Sequence, residues 1–221
     1  MSKIVFDIET VGQFNELDEE TQEYILKNDE DEEERAESKK KVSLWPFTGQ
    51  IVAIAMMNPE TDKGKVYFQS GEEKIDKFSE DGIDYQICSE KEILVNFWRD
   101  IQNYQQIITF NGRGFDCPYL LLRSAVLKIK PTKNLMPNRY RPEFHLDLLD
   151  QLTFYGAFRK FSLDFYCRSL GIKSPKSGGM SGDKVNEAYQ KGKYLEIARY
   201  CLADVVATAE LYRIWEKYIN V

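Results

Sequence analysis

The chain has 221 residues, 43% of them hydrophobic and 30% charged, which is enough to bury a core and points to a single domain over 1–221. Its formal net charge of −6 argues against a broad basic surface for gripping nucleic acid, and it has no uncharged apolar run long enough to span a bilayer. Four scattered cysteines (Cys88, Cys117, Cys167 and Cys201) and a single histidine, His145, argue against a disulfide framework, a structural zinc site or imidazole-based chemistry.

Any metal here therefore rests on carboxylates, whose oxygens favour hard cations such as Mg²⁺ or Mn²⁺. The opening MSKIVFDIET has no basic segment feeding an apolar run, so a cytoplasmic protein is expected.

In chain order, KIVFDI (3–8) is apolar and β-branched, which predicts a buried strand ending near Glu9. Residues 12–45 turn abruptly to charge. Leu17, Tyr24, Ile25 and Leu26 predict one short amphipathic helix there, and the rest is expected to be a mobile, solvated insert. QIVAIAMMN (50–58) and KVYFQS (65–70) flank a turn-forming NPETDKG, so the first three strands are expected to form an antiparallel meander. SEKEILVNFWRDIQNY (89–104) starts with a capping-box pattern, Ser89 and Glu92, and spaces Ile93, Leu94, Phe97, Trp98 and Ile101 along one helical face. QQIITF (105–110) reads as a strand, NGRGFDCP as a loop, and PYLLLRSAVLKI as a helix with Pro118 in its first turn. After a basic loop from Lys128 to Pro142, a last strand is expected at FHLDLLDQLT (144–153). FSLDFYCRSLGI (161–172) predicts a helix closed by Gly171, KSPKSGGMSGDK (173–184) a flexible loop, and the pattern from Val185 on is helical almost to the end.

Three places carry acids that merit chemistry. Asp7 and Glu9, two apart on a strand, point to the same side of the sheet. They suit a strand tip in solvent or a cation that relieves their repulsion. Asp116 stands at a helix start, where a structural N-cap and a functional acid are both admissible. Tyr200 and Asp204 are four apart on a helix and share a face, as a core-edge tyrosine over a surface acid also would.

Together, FDIET, NGRGFD and YCLAD resemble, in order and separation, the three exonuclease motifs of the DEDD (DnaQ-like) superfamily, with Tyr200 marking its Tyr subgroup. The chain is similar to stand-alone proteins related to the proofreading exonuclease domain of family-B DNA polymerases. IVAIAM, HLDLLDQL, FSLDFYCRSLGI and SGDKV extend the likeness, and the charged insert is the departure from it.

The resemblance implies an α/β, ribonuclease H-like fold with a mixed five-stranded sheet, an antiparallel meander plus parallel strands, flanked by helices. It also implies a 3′→5′ exonuclease that releases nucleoside monophosphates from single-stranded 3′ ends with two divalent ions, Mg²⁺ or Mn²⁺. Asp7, Glu9 and Asp204 would ligate one ion, Asp7 also the second, and Asp116 would support the second. Tyr200 would position the water. Thr10 is implied near the 3′ hydroxyl, and the loop from Asn111 to Phe115 near the terminal nucleotides. Phe115 or Phe6 suits base stacking or the core, and Lys128, Lys130, Lys133, Arg139, Arg141, Arg159 and Lys160 suit phosphates or solvent.

DNA is expected over RNA, with a polymerase or other replication or repair protein as possible partner and no membrane. An RNA-directed exonuclease and a catalytically silent nucleic-acid-binding or scaffold module are the alternatives. The acidic tract from Glu16 to Glu37 lacks the spacing of a calcium-binding loop.

Overall fold

The computed structural model describes residues 2–71 and 77–220. The first strand, β1 (Lys3–Val11), alternates as its sequence predicts. Ile4, Phe6 and Ile8 join the core on one face, and Val5 and Val11 the core on the other. Asp7 and Glu9 share the second face by the period of two.

The charged insert holds two helices, α1 (Glu19–Leu26) and α2 (Glu32–Lys41), where one helix and a mobile linker were expected. Neither buries a residue, so caps and charge order stand in for a core. The Asp18 and Asp31 carboxylates accept from first-turn N–H groups. In α2, Glu32, Glu33 and Glu34 lie at the positive end of the helix dipole and Lys39, Lys40 and Lys41 at the negative end.

The sheet continues with β2 (Gln50–Met57), β3 (Gly64–Phe68), β4 (Phe78–Glu80) and β5 (Ile83–Ile87). Helix α3 (Glu90–Ile101) follows, with its Ser89/Glu92 capping box formed. Then come β6 (Gln106–Thr109), α4 (Asp116–Val126), β7 (His145–Asp147) and α5 (Leu148–Leu152). Helices α6 (Leu163–Ser169), α7 (Val185–Gln190) and α8 (Tyr194–Tyr218) complete the described elements.

The strand order is β4-β5-β3-β2-β1-β6-β7. The meander β1-β2-β3 is antiparallel, and β6 and β7 run parallel to β1. All five expected strands are present, and a β4-β5 hairpin extends the sheet to seven, its turn made by Asp81 and Gly82, both at positive φ. The strand expected over 144–153 is shorter than its pattern. Asp147 ends it by capping α5 through the Leu149 N–H. The loop expected over 173–184 contains two 3₁₀ turns, at Pro175–Gly178 and Gly182–Lys184. The final helical run breaks at Gly192, which has φ +71°.

Two cores sandwich the sheet. On one face, the α3 stripe of Ile93, Leu94, Phe97, Trp98 and Ile101 is fully buried against β1, β2 and α4, each such side chain stabilising by roughly 1.5–3 kcal/mol. On the other, α8 lies on β1 and β2, where Ala53 and Ala55 leave room for Ala198, Cys201 and Val205 to approach the strands closely. Among the described residues no helix is long and apolar enough to cross a membrane.

Candidate active site

Three elements bring the acids together. Strand β1 pairs with β6 only through Val5 opposite Ile108, while on its other side it pairs with β2 out to Val11. Beyond Val5 the β6 edge of β1 is open, and α4 begins in that opening. The cap position of α4 is Phe115, without a side-chain cap bond, so Asp116 is the first helical residue. Its Oδ1 accepts the Ile8 N–H at 3.1 Å, across to the strand that carries Asp7 and Glu9. The close seat of α8 on β1 supplies Tyr200 and Asp204.

Cys201, one residue past Tyr200, meets the same strand. Its thiol donates to the Asp7 main-chain oxygen at 3.4 Å and lies 3.9 Å from Asp7 Oδ2. Donor atoms of Asp7, Glu9 and Cys201 fall within 4.8 Å of one another. The sequence signal for this thiol is only its place inside YCLAD on a helix with an apolar stripe.

The electrostatics record the crowding. Asp7 is held well above the usual carboxylate range by burial and then by the charges of Asp116, Asp204 and Glu9. Glu9 rises likewise, through burial and then Asp204 and Asp116. Burial pushes Asp116 up to about 7, against the pull of backbone N–H groups that include Ile8. Burial pushes Asp204 up to about 6, opposed by Tyr200 and Lys176. The Tyr200 phenol is raised by burial and by Asp204, Glu9 and Asp7, so it is neutral and a hydrogen-bond donor near pH 7.

This crowding sets a pH dependence for the metal-free protein. A carboxyl whose folded pKa is raised binds more protons folded than unfolded, so stability falls as pH climbs from the unfolded value through the folded one. Between pH 6.5 and 8 the Asp116 shift alone makes the metal-free protein about 1 kcal/mol less stable at the upper pH, a Tm lower by roughly 2–4 °C. His145, lowered to about 3 by burial, acts with the opposite sign as pH falls through its ordinary 6.5, and offsets roughly 0.4 kcal/mol of that difference at the lower pH. Thermal melts in EDTA across pH 6.5–8 check the slope, and a divalent ion added at pH 8 is expected to restore the lost stability.

A further buried acid, outside the cluster of four, serves the loop beside the site. The Asp147 carboxylate accepts the N–H groups of Asn111 (2.8 Å), Arg113 (2.9 Å) and Leu149 (3.0 Å). It therefore fixes the NGRG turn, in which Asn111 has φ +61° and a Cβ on Gly112 would strike the Thr109 side chain at 2.5 Å. His145 is structural in its contacts, lying 2.9 Å from both the Leu135 carbonyl and the Thr109 hydroxyl. Asn186 of α7 accepts the Gly12 N–H at 2.9 Å and ties the SGDKV region to the end of β1.

The expected substrate residues are placed unevenly. Thr10 is buried beside Glu9, at the point where the β1-β2 register shifts. Asn111 is exposed, and Phe115 is half-buried against Tyr119. Phe6 is a core residue, 1% exposed and edge-on to Phe97, which removes it from base stacking. Of the basic loop, Lys133 donates to the Tyr104 carbonyl, Arg139 pairs with Asp150 and Arg141 with Glu143.

A family described as "Predicted 3'-5' exonuclease related to the exonuclease domain of PolB" matches residues 48–219, a span that includes Asp116, Tyr200 and Asp204 and leaves β1 outside it. DNA polymerase 1 of Sulfolobus acidocaldarius is 26% identical over 141 residues, 57% of this chain and 16% of the polymerase. The DNA polymerase of Desulfurococcus sp. (strain Tok) is 28% identical over 141 residues, 57% of this chain and 18% of that protein. These matches thus take in less than a fifth of each relative. The family B DNA polymerase from Pyrobaculum calidifontis matches in structure with a TM-score of 0.61 at 15% identity, over 97% of this chain and 24% of that one. At that identity the likeness concerns fold, and the expected α/β, ribonuclease H-like architecture is borne out.

Proposed function

The chain belongs to the family of predicted 3′→5′ exonucleases related to the exonuclease domain of PolB, and from that premise we propose that it is a metal-dependent 3′→5′ exonuclease acting on single-stranded DNA ends. The observation that carries this reading is the convergence of Asp7, Glu9, Asp116 and Asp204, whose mutual repulsion in a buried setting suits divalent cations. The donor set fits such ions: carboxylate oxygens favour Mg²⁺ or Mn²⁺.

Asp7, Glu9 and Asp204 would hold one ion, and Asp7 with Asp116 a second. Two divalent ions held there supply activation of a water and stabilisation of the departing 3′-oxygen. The protein's own groups do the rest. Asp116, fastened to the Ile8 N–H, keeps α4 in register with β1. Tyr200, neutral and buried beside Asp204, orients the attacking water by hydrogen bonding and does not serve as its base. Thr10 and the loop from Asn111 to Phe115, pinned by Asp147, line the approach of the 3′ terminus.

DNA is favoured because the relatives are named as DNA polymerases, and the same likeness suggests a polymerase or other replication or repair protein as partner. Residues 1–221 act in this reading as one exonuclease domain that includes the charged helices α1 and α2.

Strand topology tests the reading. A linear single strand should be degraded to nucleoside monophosphates in Mg²⁺ or Mn²⁺ and spared in EDTA, while a closed circular strand of the same sequence stays intact. Cutting of the circle would replace the exonuclease with an endonuclease.

A further inference from the structure

The loop between α5 and α6, residues 153–162 (TFYGAFRKFS), holds four aromatic residues, two basic ones and no acid. Two of the four aromatics are turned outward, Phe154 at 63% exposed and Phe158 at 61%, and Phe165 on α6 is also exposed. Phe161 stacks on Phe165 with ring centroids 4.5 Å apart, and the Arg159 guanidinium lies over the Phe161 ring at 5.2 Å.

The backbone presents these rings from a strained and well-fastened turn. Phe154 and Tyr155 have φ +50° and +57°, a left-handed pair rare for bulky residues, followed by Gly156 at +95°. The turn is held by Tyr155 N–H to the Asp150 carbonyl (2.7 Å) and Phe158 N–H to the Thr153 carbonyl (2.9 Å). The Thr153 hydroxyl donates to the Leu149 carbonyl at 2.6 Å. The helices flanking the loop reach toward the acid cluster: Asp147, which fastens the NGRG turn, caps the start of α5, and α6 packs on α8, its Cys167 close enough to Asp204 to feel that charge. Tyr166 of α6 meets Phe110, the residue before Asn111, with ring centroids at 5.9 Å.

We propose that this loop, with Phe165, is a stacking platform for single-stranded nucleic acid, taking bases upstream of the 3′ terminus while Arg159 and Lys160 meet the phosphates. The inference rests on the exonuclease reading for its direction. The occupant follows from chemistry: every base offers a face to an aromatic ring, each linkage carries a negative charge, and the loop interleaves rings with cations alone. A rigid turn also loses little entropy when a strand docks.

The test compares wild type with Phe154→Ala/Phe158→Ala and Phe154→Leu/Phe158→Leu. The leucines keep apolar bulk and remove the stacking face. Each protein is given a dinucleotide and a strand of about 12 nucleotides, in DNA and RNA arms, and strand binding is read separately by fluorescence anisotropy in Ca²⁺. Both variants should raise KM and Kd for the longer strand about tenfold, leave kcat and dinucleotide cleavage unchanged, and melt as wild type does. Arg159→Ala/Lys160→Ala should flatten the salt dependence of binding.

Unchanged long-strand affinity in the aromatic variants overturns the platform even when cleavage is normal. Failure of wild type to cleave any substrate counts against the nuclease reading instead, and the anisotropy still decides the platform.

Discussion

Asp7→Asn should lower exonuclease turnover by about a thousandfold or more while the protein melts no lower than wild type in EDTA. Asp7 is the carboxylate whose charge feels all three others, Asp116, Asp204 and Glu9, which puts it in the middle of the cluster. Asparagine keeps the shape and leaves the main-chain oxygen that the Cys201 thiol bonds. It removes one charge from a set that repels itself, so the metal-free fold loses nothing and the three remaining carboxylates relax. The same change takes away an anionic ligand needed by both ions of the proposed arrangement. Single-turnover cleavage and melting in EDTA, measured on one preparation, check both halves. Turnover within tenfold of wild type would remove Asp7 from the chemistry, and a large fall in Tm would make it a structural acid.

Asp147→Ala should reverse that pattern, with a loss of stability of about 3 kcal/mol or more. Three backbone N–H groups, those of Asn111, Arg113 and Leu149, depend on this one carboxylate, which is only 3% exposed. Truncation leaves all three donors without their acceptor, that of Leu149 fully buried, and removes the cap of α5. Because the NGRG turn leads directly into Asp116, residual activity should also fall through a raised KM at temperatures where the protein is still folded. Urea unfolding gives the stability change, and a loss below 1 kcal/mol would show that the turn is held by other means. Asp147→Asn should lie between, since one amide nitrogen then faces a backbone donor.

The parts of the fold that were readable in the sequence are those where hydrophobic period and turn chemistry agree. The β1 alternation, the meander of β2 and β3, and α3 with its Ser89/Glu92 cap all formed as their patterns dictate. The β4-β5 hairpin is carried by an Asp-Gly turn between short, half-polar strands, and its Phe78 and Tyr85 rings stack only once the hairpin is folded. Of the two helices in the insert, α1 answers to the weak apolar face of Tyr24, Ile25 and Leu26, whereas α2 has no apolar stripe, so period gives no sign of it; its aspartate cap and end charges do. FHLDLLDQLT fits a strand as far as Asp147 and a helix beyond it, and the switch depends on a side-chain cap that period alone does not reveal.

The candidate site was legible as types and spacing: two acids on a strand, one at a helix start, one with a tyrosine on the last helix. Their meeting depends on tertiary features. Strand β1 must part from β6, and two alanines on β2 must admit α8, before the four carboxylates share a space. Cys201 and Asp147 carried no separate signal, because a buried thiol in an apolar stripe and an acid at a strand end are ordinary until their partners are known.

The central claim is that these carboxylates make a metal-dependent nuclease that works from the 3′ end. Its most direct measurement follows 5′-labelled and 3′-labelled single strands of DNA and RNA with the purified protein in Mg²⁺ or Mn²⁺, beside Asp7→Ala/Glu9→Ala. The account predicts stepwise shortening of the 5′-labelled DNA and immediate release of the 3′ label as a mononucleotide, both lost in the variant. No cleavage of any strand in either metal, or equal cleavage by the variant, would contradict it.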